Sequence, residues 1–514
     1  MKKRLRQLTA LGLATMLILS GCSGDTKEEN IAPVTPEEEV VETVVPEVEI
    51  EEPEEELLPL SVNIATNHKT YYFEGGEQAY LHLQYCDAEV EGDEYASLKR
   101  NVEKWSMERS EGLRSLYSTF EEVAVMEAEG NEAFDGYSLY HTLAASRADE
   151  KVLSLRDDTY QYIGGAHGSF YRYGVVFDSE SGKKLALRDI ISDWENFSQD
   201  AISYMTYYLN ETYGEGLFDD YVTTVEGLWA ENAEPEWYLD ATSIVIVLQE
   251  YMVGPYVMGT PEVHLSYAEF APYIKEAYLP GNGDGIASFS VNQELFLKLL
   301  GSYEEVPMML QYESTEENTS CSLWLGENEK ILDDYIVIED SYLIQRGDEV
   351  YCLIEADMAS DDYVTYVYRL TEGVIEEITQ LGAAIDQGNV NSENVVMESW
   401  VYMLGTYGGV KTYHFDDNGE FVTDDTEYLL HKNTYALTTT VDLPVTLEDA
   451  ESTLPAGSHI VLTATDGETY VKFTIQETGQ TGVLNVERNE TDYYKLTIDG
   501  MSEYECFEDL PYAG

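Results

Sequence analysis

Tyr162-Ile163-Gly164-Gly165-Ala166-His167-Gly168-Ser169 is the string best suited to chemistry, because three glycines and one histidine sit between two strand-like runs. The glycines allow positive φ and close approach of a backbone, and a lone imidazole offers either ring nitrogen to a partner. Two readings follow. Tyr162, Gly164, Gly165, His167 and Gly168 form a ligand-contacting loop, or the glycines make a bend that His167 holds by bonding to the backbone. Elsewhere the chain has no His-Glu-x-x-His, no Gly-x-x-x-x-Gly-Lys-Ser/Thr and no Gly-x-Ser-x-Gly. With 99 Asp and Glu in 514 residues, glycosidase-like carboxylate spacings arise by chance and carry no information. Asp416-Asp417-Asn418-Gly419-Glu420 lacks the alternating ligands of a calcium loop and reads as a turn. His68, His82, His141, His264, His414, His431 and His459 form no ligand-spaced pair. No catalytic residue, metal ligand or cofactor is therefore expected.

Cys22 carries a second kind of chemistry. Lys2, Lys3, Arg4 and Arg6 precede a short apolar run, Leu8 to Leu19, which is too brief to span a bilayer. Leu19-Ser20-Gly21-Cys22 follows and resembles the lipobox of bacterial lipoproteins, which implies signal cleavage and lipidation of Cys22. Several buried acyl chains hold a protein to a membrane far more firmly than one. The expected location is the outer face of the cell membrane, lipid-anchored and extracytoplasmic.

The net charge of −71 excludes nucleic acid as a partner and favours cations and basic proteins. A hydrophobic content of 44%, with 41 Tyr and 14 Phe, is enough for ordinary cores. Beyond Cys22 remain Cys86, Cys321, Cys352 and Cys506, with no Cys-x-x-Cys. Four cysteines allow three pairings, and Cys321 with Cys352 is the pair expected first in an exported protein.

Several elements must position the His167 loop. Residues 23–59 are an acidic, proline-spaced tether with no recognition chemistry. Residues 60–280 mix periods as an α+β module, an antiparallel sheet with packed helices. Strands are expected at Ser61 to Thr66, Ala79 to Tyr85, Tyr137 to Leu143, Lys151 to Tyr162, Ser169 to Phe177 and Ala241 to Gln249. A helix carries Tyr95, Leu98, Val102, Trp105, Leu113, Leu116 and Phe120 as its apolar stripe. A hairpin returns through Lys183 to Leu187, and helices follow over about Leu187 to Leu209 and Asp219 to Ala230. A strand and helix over Glu262 to Tyr278 close the module. Gly281 to Gly285 then breaks the pattern, residues 288–430 read as a β-rich region with two blade-like groups, and 433–514 resembles a small SH3-like β-barrel.

The Gly-Gly-Ala-His-Gly string, Val176-Phe177, Gly182 to Ile190, Ile244 to Leu248, Tyr251, Gly254-Pro255-Tyr256 and Gly259 together resemble an exported RsiV/PdaC-like domain pair. That pair occurs in lysozyme-sensing anti-sigma factors and at the start of peptidoglycan deacetylases, and the likeness covers Ser61 to Tyr278. It implies an α+β module that binds something at the envelope. No deacetylase domain and no sigma-binding segment are expected in the sequence, so neither output is implied. The expected function is binding of a cell-wall glycan or peptide, or of a cationic, lysozyme-like extracellular protein. The alternative is a cell-wall-modifying hydrolase whose site is assembled from distant Asp, Glu and His.

Overall fold

A computed structural model describes residues 59–512, apart from 74–77, 129–133, 135, 232, 282, 301–304, 315–318, 333–336, 359–361, 431–434, 449 and 490–491. Cys22 and almost all of the tether lie outside the described residues. Residues 57–514 form one compact unit.

The chain opens with β1 (Val62–Tyr72) and β2 (Ala79–Val90), an antiparallel pair. It crosses through α1 (Ala96–Ala128) to β3 (Tyr137–Ala148), which lies parallel to β2. The expected stripe explains the crossover: Leu98 and Val102 are fully buried and join Leu153, Leu155 and Phe177 in one core. Strands β4 (Val152–Tyr162) and β5 (Ser169–Asp178) continue antiparallel from β3 and carry the His167 loop at their far end. The expected return strand after β5 does not form. Lys184 makes a single bridge to Phe177, because Leu185 and Leu187 turn away into the next core.

That next core is built by α2 (Leu187–Ile190), α3 (Trp194–Tyr213) and α4 (Tyr221–Leu228), packed on β6 (Glu236–Leu239), β7 (Ser243–Val247) and β8 (Glu262–Ser266). The helix expected from Leu187 to Leu209 is broken because Asp193 caps α3, its carboxylate accepting the Asn196 backbone N–H at 3.2 Å. Phe197, Ala201, Met205 and Leu209 recur on the buried face of α3. They meet Ile244, Ile246, Val263 and Leu265 of the three-stranded sheet.

The glycine-rich stretch at 281–285 is a splice. Strand β9 (Gly285–Ser288) pairs with the end of β3 on one side and with β14 (Val337–Arg346) on the other. The sheet therefore runs on through β15 (Glu349–Asp357), β16 (Tyr363–Thr371) and β17 (Val374–Leu381). Between them β10 (Leu295–Leu297), β11 (Val306–Ser314), β12 (Thr319–Leu325) and β13 (Asn328–Ile331) form a separate four-stranded sheet.

Of the two groups read as blades, the first becomes β14 to β17 inside the large sheet. The second, β18 (Ala384–Val390), β19 (Val395–Tyr402) and β20 (Thr406–Phe415), joins the strands of 428–485 and 507–508, while those of 487–502 form a small sheet of their own. The joined C-terminal strands extend this shared sheet, and no closed barrel is formed among the described residues. The expected Asp466-Gly467 hairpin is present, with residues 459–465 antiparallel to 470–475. Cys321 and Cys352 are not bonded to each other: all four described cysteines are free and buried. Burial raises the Cys321 thiol to about 12, so it behaves as a small apolar side chain.

Candidate functional site

Strands β4 and β5 deliver the His167 loop to the surface. Gly164 and Gly165 take φ of +87° and +100°, left-handed values that side chains with a Cβ resist. Tyr162 donates its hydroxyl to the Gly165 carbonyl at 3.3 Å and closes the turn. His167 is exposed, and its Nδ1 donates to the Gly168 carbonyl at 2.8 Å. That bond places the proton on Nδ1 and leaves Nε2 free to accept the Tyr251 hydroxyl at 3.3 Å. The imidazole also stacks on Tyr256, with centroids 3.8 Å apart and planes 20° apart. The bend is braced by His167, and the braced ring is presented outward.

The tyrosines come from a segment more than eighty residues downstream, and the structure brings the two halves of the sequence motif together. Gln249 clamps this segment to β5, its side chain accepting from the Arg172 backbone N–H at 3.2 Å and donating to the Arg172 carbonyl at 2.6 Å. Tyr251 follows in left-handed conformation, φ +64°, and is 51% exposed. A non-glycine residue in that region is costly and marks a constrained position. Burial and the neighbouring Glu250 carboxylate raise the Tyr256 phenol above its usual range, so it stays protonated.

Gly168 is buried because Tyr160 lies over it, and a Cβ there would stand 2.4 Å from the ring. Tyr160 in turn stacks on its cross-strand partner Tyr140 of β3, at 6.1 Å and 13°. Tyr140, Tyr160, Tyr251 and Ile163 are all more than a third exposed, and Val257 is 90% exposed. The surface is a patch of stacked tyrosines around one histidine.

Beneath the patch lies a charged layer that fixes β4 and β5 against β6 to β8. Arg172 pairs with its cross-strand neighbour Asp158 at 2.7 Å and with Glu262 at 3.1 Å. Arg156 reaches Asp158 at 3.2 Å, and Tyr238 donates to Glu262 at 2.8 Å. None of these residues, nor Tyr140 or Tyr160, stands out in the sequence, since charged and aromatic residues are abundant and their partners are remote.

Two other clusters resemble catalytic groupings. Asp240, Ser243 and His264 converge, but Ser243 Oγ and Asp240 Oδ2 both face the same ring nitrogen, Nδ1, at 3.0 and 3.2 Å. A serine–histidine–acid relay needs the two different nitrogens. Asp240 instead caps a turn, accepting the backbone N–H groups of Thr242 and Ser243 at 2.8 Å each. Asp340 and Glu355 sit opposite each other on β14 and β15, both buried. Burial pushes Asp340 up to about 6, moderated by Arg156, and Glu355 up to about 8, moderated by the Ile385 backbone N–H it accepts. Asp416 forms the expected turn, accepting from the backbone of Asn418 and Glu420. Among the described residues no three His, Cys, Asp or Glu side chains group as a metal site. No helix among them is long and apolar enough to cross a membrane.

Residues 193–268 match the family described as a protein of unknown function, DUF3298, and form a DUF3298 domain spanning α3 to β8. This is the domain shared with RsiV/PdaC-like proteins. Two crystal structures are similar to the chain. A DUF3298 family protein from Pseudomonas aeruginosa PAO1 has 19% identity and a TM-score of 0.33, over 44% of this chain and 98% of that one. A DUF3298 family member from Bacteroides fragilis has 18% identity and a TM-score of 0.34, over 42% and 94%. No curated protein matches the chain.

Proposed function

We propose that the chain is a lipid-anchored, non-catalytic binding protein of the bacterial cell envelope. In this reading Cys22 carries the anchor, residues 23–59 are the tether, and the tyrosine patch around His167 receives a cell-wall component or a cationic, lysozyme-like protein. The observation that carries it is the aromatic set of exposed His167, Tyr251, Tyr160 and Tyr140 around half-buried Tyr256, on which His167 stacks and Tyr251 tilts. Tyrosine supplies rigid contact area with a polar tip, which suits both sugar faces and protein partners. The acidic surface adds long-range attraction for a basic partner.

Binding of labelled peptidoglycan and of hen lysozyme to the intact protein in detergent tests this reading, beside an equally acidic control protein. Capture of either ligand is expected, with a loss of about tenfold in Tyr256→Ala, the usual effect of removing an interface anchor. Capture of neither above the control would overturn it. Release of muropeptides by the purified protein would replace it with the hydrolase reading.

A further inference from the structure

Far from the tyrosine patch, a cavity of about 500 Å³ opens where β3, β9, β14 and the end of the DUF3298 domain meet β10. Its size is that of ordinary small-molecule sites. Leu279, Ile286, Phe296 and Leu343 supply apolar walls, and Arg147 lines it from β3.

Arg147 is only 1% exposed, and its guanidinium is incompletely used. Nε donates to Asp149 at 2.7 Å, and Nη1 donates to the Tyr278 carbonyl at 2.8 Å and the Tyr267 hydroxyl at 3.4 Å. Nη2 is buried without a hydrogen-bond partner among the described residues. Asp149 does not serve it: one carboxylate oxygen takes the Nε–H, and the other accepts the backbone N–H groups of Lys151 and Val152, both at 2.9 Å. An idle donor on a buried cation is costly, and an acceptor anion removes that cost. The exposed lining residues have the opposite balance, with Glu294 and Glu305 against Lys298.

We infer that this cavity is a binding site for a small zwitterion, a free amino acid or short peptide, whose carboxylate sits against the Arg147 wall and draws the buried Nη2 towards it, and whose ammonium faces Glu294 and Glu305. The apolar walls accept a small side chain between the two charges. The site is separate from the tyrosine patch and does not depend on what that patch binds.

Calorimetric titration of the intact protein with alanine and with alanyl-alanine tests the inference. Saturable binding of at least one is expected. Replacing that ligand's carboxylate by the amide is expected to weaken binding tenfold or more, as loss of a charge-assisted hydrogen bond does. Because Arg147→Met risks the fold, Ala268→Phe, at an exposed lining position, serves as the variant and is expected to abolish binding. Absence of saturable binding with both ligands, equal affinity for the acid and its amide, or undiminished binding by Ala268→Phe would each overturn it.

Discussion

His167 and Glu355 show two ways in which a single side chain sets behaviour. Removing the His167 ring takes away the face on which Tyr256 stacks and the acceptor of the Tyr251 hydroxyl, all at the surface. His167→Ala is therefore expected to weaken ligand capture while leaving the melting temperature within a few degrees, which differential scanning fluorimetry would show. Glu355 acts in the opposite place. Only 4% exposed and held at about 8, it keeps a proton that the unfolded chain, with a carboxyl near 4.3, has already released. Between those values the folded state binds more protons, so this contribution to stability is complete at low pH and is lost as pH rises towards about 8. The slope from one such group is at most about 1.4 kcal/mol per pH unit. His141 works in reverse: burial, with Arg109 beside it, depresses it to about 3, so its contribution is lost as pH falls below about 6.5. Glu355→Gln should flatten the alkaline side, and denaturant midpoints at about pH 5 and about pH 8 would reveal it. An unchanged difference between the two would contradict the assignment.

At the scale of elements, the decisive contact is the crossing of β5 and β6. Gly174 on β5 lies so close to β6 that a Cβ would stand 1.9 Å from the Trp237 carbonyl oxygen. Backbone cannot yield there as a side chain tip would, so Gly174→Ala should cost about 3 kcal/mol by forcing the layers apart. Gly165→Ala makes a useful comparison, since nothing lies within 4 Å of its Cβ and its cost is backbone strain alone, about 1 kcal/mol. Urea unfolding of both variants would separate the two mechanisms, and equal losses would refute the contrast. Strand existence was readable here: β2 to β5 and β7 stand close to where alternation and apolar runs place them. Strand β6 was not, because Glu236 to Leu239 is too short to show a period. The break before α3 was hidden because Asp193 acts as a cap only once Ile191 leaves the helical path.

At the scale of the whole molecule, the sheet that begins in the α+β module ends outside it. Leu153, Leu155 and Val175 share one core with Ile286, Tyr342, Ile344 and Leu353, so residues 60–280 alone would lose part of their apolar cover. A fragment ending at residue 280 is expected to be markedly less stable than the intact chain and to bind a hydrophobic dye. Heat denaturation with dye fluorescence would decide it, and a fragment as stable as the parent would refute the shared core.

The sequence by itself determined the acidity, the helix stripe of α1 and the glycine-histidine loop, because each is a local pattern of residue type or spacing. Tertiary structure decided which partners those residues meet. It carried Tyr251 and Tyr256 to His167 across more than eighty residues, left the four described cysteines unpaired, and buried Arg147 and Glu355. The physical reason is that burial and cross-strand register are properties of the packed chain. In a sequence with so many carboxylates and tyrosines, no local signal separates the few that become buried or stacked from the many that stay solvated.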